Sequence, residues 1–206
     1  MLSDGVFAIA MTLMALDVHP PAQWQHTLPG LLDALAGPIQ LFFWSFLATA
    51  LFWATHRRVF GTITRSTGTL TFLNLLLLGE ITLIPVVTGL LGYQDVIAGT
   101  LWFYLGLYLL IGVTNAAILI YAALIGRIVS ARRGAATVVT VAVTLALLPV
   151  IMTGLGVLTI LPRYRWLPVL MPVVVIAFGG LRRLAAAFDA RRDKAVPARV
   201  PDAAGA

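Results

Sequence analysis

The chain has 206 residues, of which 60% are hydrophobic and 11% charged, with a mean hydropathy of +0.98. Soluble domains sit nearer half apolar and a quarter charged, so a water-soluble fold of this size could not hide so much apolar surface; the solvent must be largely lipid. The net charge of +6 does not point to nucleic acid, because the basic residues stand at the ends of apolar runs, and the absence of cysteine excludes disulfides, thiol catalysis and thiolate metal sites.

Six apolar runs follow one another, and all read as helices because open strands cannot satisfy their backbone groups in lipid. The first extends from about Leu2 to Val18 and is broken by His19-Pro20-Pro21. It has roughly the length of a signal-peptide core, but Ser3 and Asp4 stand where such a peptide carries Lys or Arg, so it reads as a retained span. His19 to Leu31 reads as an extracytoplasmic loop or short helix, and the second run covers Pro38 to Thr55, ended by His56-Arg57-Arg58. The third is Leu70 to Leu91, the fourth Val96 to Ile125 and the fifth Ala135 to Ile160. The sixth, from Trp166 to about Phe178 or Leu181, is short and the weakest of the six. Pro85, Pro149, Pro168 and Pro172 fall inside runs, where kinks are expected rather than helix ends.

Of the fourteen Lys and Arg residues, twelve lie in the 2–3 link, the 4–5 link and the C-terminal tail. The remaining two, Arg163 and Arg165, are in the 5–6 link. The positive-inside rule therefore puts both termini in the cytoplasm. The expected organisation is a six-helix transmembrane domain over residues 1–184, with a disordered cytoplasmic tail over 185–206.

Polar groups at membrane depth are costly and mark candidate sites. Ser3 and Asp4 open the first span, Trp53 and His56 close the second, and Asn74 lies one turn into the third, so the topology brings all five near the cytoplasmic face. There Asp4 could accept hydrogen bonds from His56, Asn74 and the Trp53 indole. The cluster reads either as a network orienting the first helix or as interfacial residues satisfied by water and headgroups. Glu80 falls close to the middle of the third run, where a charged carboxylate costs roughly 2.5–3.5 kcal/mol. A neutral, hydrogen-bonded acid is expected, serving either as a proton or cation site or as glue between helices; Thr114 and Asn115 invite the same pair of readings. His19 and His26 make a poor metal signature, and no phosphate-cradling glycine loop or catalytic constellation occurs. Neither enzymatic activity nor a cofactor is expected.

At about 100° per residue, with Ile9 at zero, Thr12 falls near −60°, Leu13 near +40° and Leu16 near −20°, so one stripe of the first helix presents these four. Small residues (Gly5, Ala8, Ala10, Ala15) occupy much of the rest and allow close helix approach. By itself this describes an ordinary packing helix.

The stretch from Ser3 to Leu16, SDGVFAIAMTLMAL, resembles the first-helix signature of the transmembrane protein 175 potassium-channel family, an arginine, three residues and Phe-Ser-Asp followed by an apolar Ala-Ile-Ala-x-Thr-Leu run. The similarity continues through Phe52-Trp53-Ala54-Thr55-His56, Asn74 to Leu78 and Pro85-Val86-Val87-Thr88, covering roughly residues 1–92. Two features depart from that pattern: Leu2 stands in place of the phenylalanine with no arginine before it, and Glu80 has no counterpart expected from the family.

The resemblance implies a passive, potassium-favouring cation channel in a prokaryotic cell membrane. It implies an all-α homotetramer of six-helix subunits embedded in the lipid bilayer, conducting potassium and other monovalent cations and free of cofactors. The first helix of each subunit would line the pore, with Ile9, Leu13 and Leu16 at the family's filter and gate positions and Thr12 as a polar lining residue. Ser3, Asp4, Trp53, His56 and Asn74 would brace it. Rings of apolar side chains can gate by dewetting. The competing expectation is a proton-coupled secondary transporter with Glu80 as proton carrier, although the internal repeats common in such proteins are not evident. A membrane scaffold without transport is the third.

Overall fold

In the computed structural model, residues 2–20, 24–92, 98–125, 128–129, 135–158 and 171–195 are described. The six runs become six helical units: α1 (Leu2–Leu13) extended by a 3-10 segment (Met14–Asp17), α2 (Leu28–Phe60), α3 (Gly68–Thr82) followed by α4 (Ile84–Gly92), α5 (Ala98–Ile120) extended by a π segment (Tyr121–Ile125), α6 (Ala135–Leu158) and α7 (Met171–Ala195). The only strand-like pairing among the described residues is an isolated bridge between Ile63 and Val129.

Among the described residues, four units are long and apolar enough to cross a membrane: Leu28–Phe60, Gly68–Leu91, Gly99–Ile125 and Ala136–Leu158. With its 3-10 extension, α1 rises about 26 Å, a little less than the roughly 30 Å of a bilayer's hydrocarbon core. Orientation rests partly on Arg127, Arg132, Arg133, Arg163, Arg165 and Arg199, which lie outside the described residues, as do Pro168 and the start of the sixth run. Nevertheless the 2–3 and 4–5 links meet: the Thr64 amide and hydroxyl both donate to the Ile128 carbonyl at 2.8 Å. The two links therefore share one end of the bundle.

The elements differ from the sequence expectation at three places. First, α2 starts at Leu28, ten residues before the expected Pro38, so the end of the supposed loop is helical. Thr27 caps it by accepting from the Gly30 amide at 3.2 Å, Pro29 fits the first turn, and Pro38 is absorbed into the interior. Second, the third run is divided at Leu83. Pro85 cannot donate to the carbonyl four residues back, and the Leu83 amide instead closes a tighter turn onto the Glu80 carbonyl at 3.1 Å. Third, α7 continues to Ala195, so the expected disordered tail does not hold over residues 185–195; residues 196–206 lie outside the described set. The Asp189 carboxylate, nearly buried, anchors this extension on the start of α6. It accepts from the Thr137 amide at 2.7 Å, the Thr137 hydroxyl at 2.6 Å and the Ala136 amide at 3.3 Å, where a negative charge is favoured.

The core gathers around α5, whose Tyr104, Tyr108, Ile111 and Ile118 are fully buried. α6 crosses it at Gly112, where an added Cβ would lie 2.6 Å from the Ala146 carbonyl oxygen. Close backbone contact of this kind is how helices pack when hydrophobic driving force between them is weak in lipid. α1 lies against α2, α3 and α4, burying Phe7, Ala10 and Met14.

Candidate pore helix and its supports

Spacing of three to four residues sets which side of α1 is covered. Phe7, Ala10 and Met14 recur at that interval and face the subunit's own helices. The opposite side is left uncovered by the rest of the subunit: Ile9 is 59%, Leu13 44% and Leu16 74% exposed, and Thr12 is exposed between them. The stripe read from helical periodicity is therefore the bare face of α1. The Thr12 hydroxyl donates to the Ala8 and Ile9 carbonyls, each at 3.0 Å, so its proton is used within the helix while its oxygen lone pairs remain available.

The five expected bracing residues do not form one cluster around Asp4. The Trp53 indole donates to Asp4 Oδ1 at 3.0 Å, tying the first turn of α1 to α2. His56, three residues further along α2, points instead into the α2–α3 interface, where its Nε2 lies 2.8 Å from Asn74 Oδ1 in a geometry for N–H donation to the amide oxygen. Three residues apart, the two side chains leave α2 only about 60° from each other, and that offset is enough for Trp53 to meet α1 while His56 meets α3. Phe7 links the two pairs, with its ring centroid 5.7 Å from that of His56, which also stacks on Phe60 at 4.3 Å. Ser3 is half-buried and makes no hydrogen bond among the described residues. Arg57, which the sequence suggested only as a topology signal, holds its guanidinium 5.1 Å from the Trp53 ring centroid and so backs the indole bonded to Asp4.

Glu80 is buried between α3 and α5, and Thr114 donates to its Oε1 at 2.8 Å. Its Oε2 has no hydrogen-bond partner among the described residues, nor do either of the amide atoms of Asn115. This polar pair lies apart from the residues that brace α1 at the Asp4 end.

A second support was not anticipated. Ser45 of α2 sits within 2.8 Å of the Tyr104 hydroxyl and donates to the Leu41 carbonyl, while Thr88 of α4 reaches Ser45 Oγ at 3.4 Å and the Met14 sulfur at 3.9 Å. The Tyr108 hydroxyl donates to the Ser45 carbonyl at 3.4 Å. Buried hydroxyls on three helices thus converge where α1 ends. The available signal was the i, i+4 spacing of Ser45 with Thr49 and of Tyr104 with Tyr108 inside apolar runs.

Residues 1–85 match the family described as the endosomal/lysosomal potassium channel TMEM175. A potassium channel of Streptomyces collinus is 39% identical over 90 residues, covering 43% of this chain and 44% of the relative. One of Chamaesiphon minutus is 37% identical over 92 residues, covering 43% and 45%. The matched segment thus spans less than half the length of these curated relatives. The crystal structure of a lysosomal potassium-selective channel TMEM175 homolog from Chamaesiphon minutus superposes with a TM-score of 0.56 at 25% identity, covering 94% of this chain and 95% of that one. The chain is thus similar in sequence to the TMEM175 family over its first 85 residues, and similar in fold to the solved channel homolog over nearly its whole length.

Proposed function

We propose that the chain is a passive, potassium-favouring cation channel of the cell membrane in which the α1 helices of four identical subunits line the pore. The observation that carries this reading is the bare face of α1: Ile9, Leu13 and Leu16 are large apolar side chains left exposed on the helix that also bears the family signature. Fourfold association around that face brings the three residues into stacked apolar rings, a constriction that passes ions only when wetted. Thr12 then directs its oxygen at the axis and supplies a ligand in place of hydration water. Asp4–Trp53 and His56–Asn74 fix the end of α1 against its own subunit. The positive-inside count favours both termini in the cytoplasm, and the meeting of the 2–3 and 4–5 links is consistent with that orientation. The named relatives are potassium channels, which fits a transport role rather than catalysis.

The test is ion flux through the purified protein in liposomes. A linear potassium current that is altered by Ile9→Asn and by Leu13→Ala supports the pore assignment. A strict monomer in detergent removes it, because no single α1 can enclose a pathway.

One observation keeps a second reading in play. Glu80 is buried with an oxygen lacking any hydrogen-bond partner among the described residues, as a proton carrier in a coupled transporter would be. Uptake that requires a pH gradient and is abolished by Glu80→Gln establishes the transporter over the channel; unchanged potassium current in Glu80→Gln eliminates it.

A further inference from the structure

Between α2, α5, α6 and α7 lies a cavity of about 130 Å³, at the end of the bundle where the 2–3 and 4–5 links meet. Arg58 and Arg182 line it together with Thr55 and Thr62, and its deeper wall is apolar, formed in part by Leu119 and Leu145. No acidic side chain lines it, and among the described residues neither arginine has a carboxylate partner. An adjoining cavity shares Arg182 and adds Arg183. The nearest carboxylate along α7, that of Asp189, is engaged at the start of α6. Two guanidinium groups directed at one small space repel each other, and an anion between them reverses the sign of that interaction.

We propose that this cavity binds one anionic phospholipid per subunit, its phosphate held between Arg58 and Arg182 and an acyl chain following the apolar wall toward the bilayer core. Guanidinium forks match phosphate oxygens in bidentate geometry, which selects a phosphate over a diffuse negative surface. The ligand is a lipid rather than a free phosphate because the basic mouth opens onto an apolar wall of membrane-spanning helices, which offers a small aqueous anion nothing. Basic pockets between spanning helices at the headgroup level are a recurrent form of lipid site. The bound lipid would tie α7 to α2, two elements otherwise joined through α6.

The experiment is native mass spectrometry of the purified full chain, titrated separately with phosphatidylglycerol and phosphatidylcholine. Saturable binding of one phosphatidylglycerol per subunit is expected, weakened about five-fold by Arg58→Gln or Arg182→Gln and about thirty-fold by both together. Arg191→Gln, on the exposed part of α7, should leave it unchanged. Equal binding of the two lipids by the unaltered protein overturns the proposal, as does full retention of phosphatidylglycerol in the double variant. Should the double Gln variant not fold, Arg58→Lys with Arg182→Lys keeps the charge and removes the fork, and undiminished binding there refutes the phosphate geometry. Displacement by inorganic phosphate at the concentration at which phosphatidylglycerol binds would show a free-anion site and also overturn it.

Discussion

The crossing of α5 and α6 at Gly112 makes a strong demand that can be tested against an internal control. Replacing Gly112 with Ala places a Cβ 2.6 Å from the Ala146 oxygen, 2.7 Å from its Cα and 3.0 Å from its carbonyl carbon. All three atoms are backbone, so no side chain can rotate aside. Ordinary contact needs roughly 3.5 Å or more, and the helices must separate by about 0.9 Å. A gap of that size forfeits between a quarter and a half of the dispersion energy of the contacts it opens. Overpacking of this kind costs about 1–3 kcal/mol, set against a gain of at most ~1 kcal/mol from the better helix propensity of alanine. Gly106→Ala, six residues earlier in α5, meets nothing within 4 Å and should be neutral or stabilising by up to about 1 kcal/mol. Equilibrium unfolding in mixed micelles with a denaturing detergent measures both. Gly112→Ala should lose about 1–2 kcal/mol relative to the parent protein. Equal stability of the two variants would refute the close crossing and, with it, the arrangement of α5 and α6 described above.

Further outcomes follow from individual contacts. Trp53→Phe removes the donor to Asp4 and weakens the platform under Arg57, and should cost about 0.5–1.5 kcal/mol in the same unfolding assay; no loss would mean that Asp4 is held by other partners. Thr12→Val should leave stability within ~0.5 kcal/mol, since the hydroxyl bonds only its own helix, yet change the ratio of potassium to sodium permeability; an unchanged ratio removes Thr12 from the pore lining. Tyr104→Phe takes one partner from Ser45 but leaves its bond to Leu41, so a loss of about 1 kcal/mol is expected, and a much larger one would show that the hydroxyl network acts as a unit. Asp189→Ala uncaps α6 and should cost about 1–2 kcal/mol while accelerating amide exchange along residues 185–195; unaltered exchange there would sever the extension from α6.

Composition and apolar periodicity were enough to establish an all-helical membrane protein with six segments, because lipid leaves the backbone few alternatives. The Ile9, Thr12, Leu13 and Leu16 stripe was equally legible, since it depends only on the pitch of one helix. Local hydrogen bonding misled the reading where a proline stood in an apolar run: Pro38 is absorbed within α2, whereas Pro85 divides the third run. Sequence topology placed Ser3, Asp4, Trp53, His56 and Asn74 near one end of the bundle, but which of them meet depended on the packing of α2, which sends Trp53 to Asp4 and His56 to Asn74. The polar junction of Ser45, Thr88 and Tyr104, and the cavity between Arg58 and Arg182, join residues more than forty positions apart on separate helices. Which face of a helix meets which neighbour is a property of packing between helices, and that is what the tertiary structure alone decided.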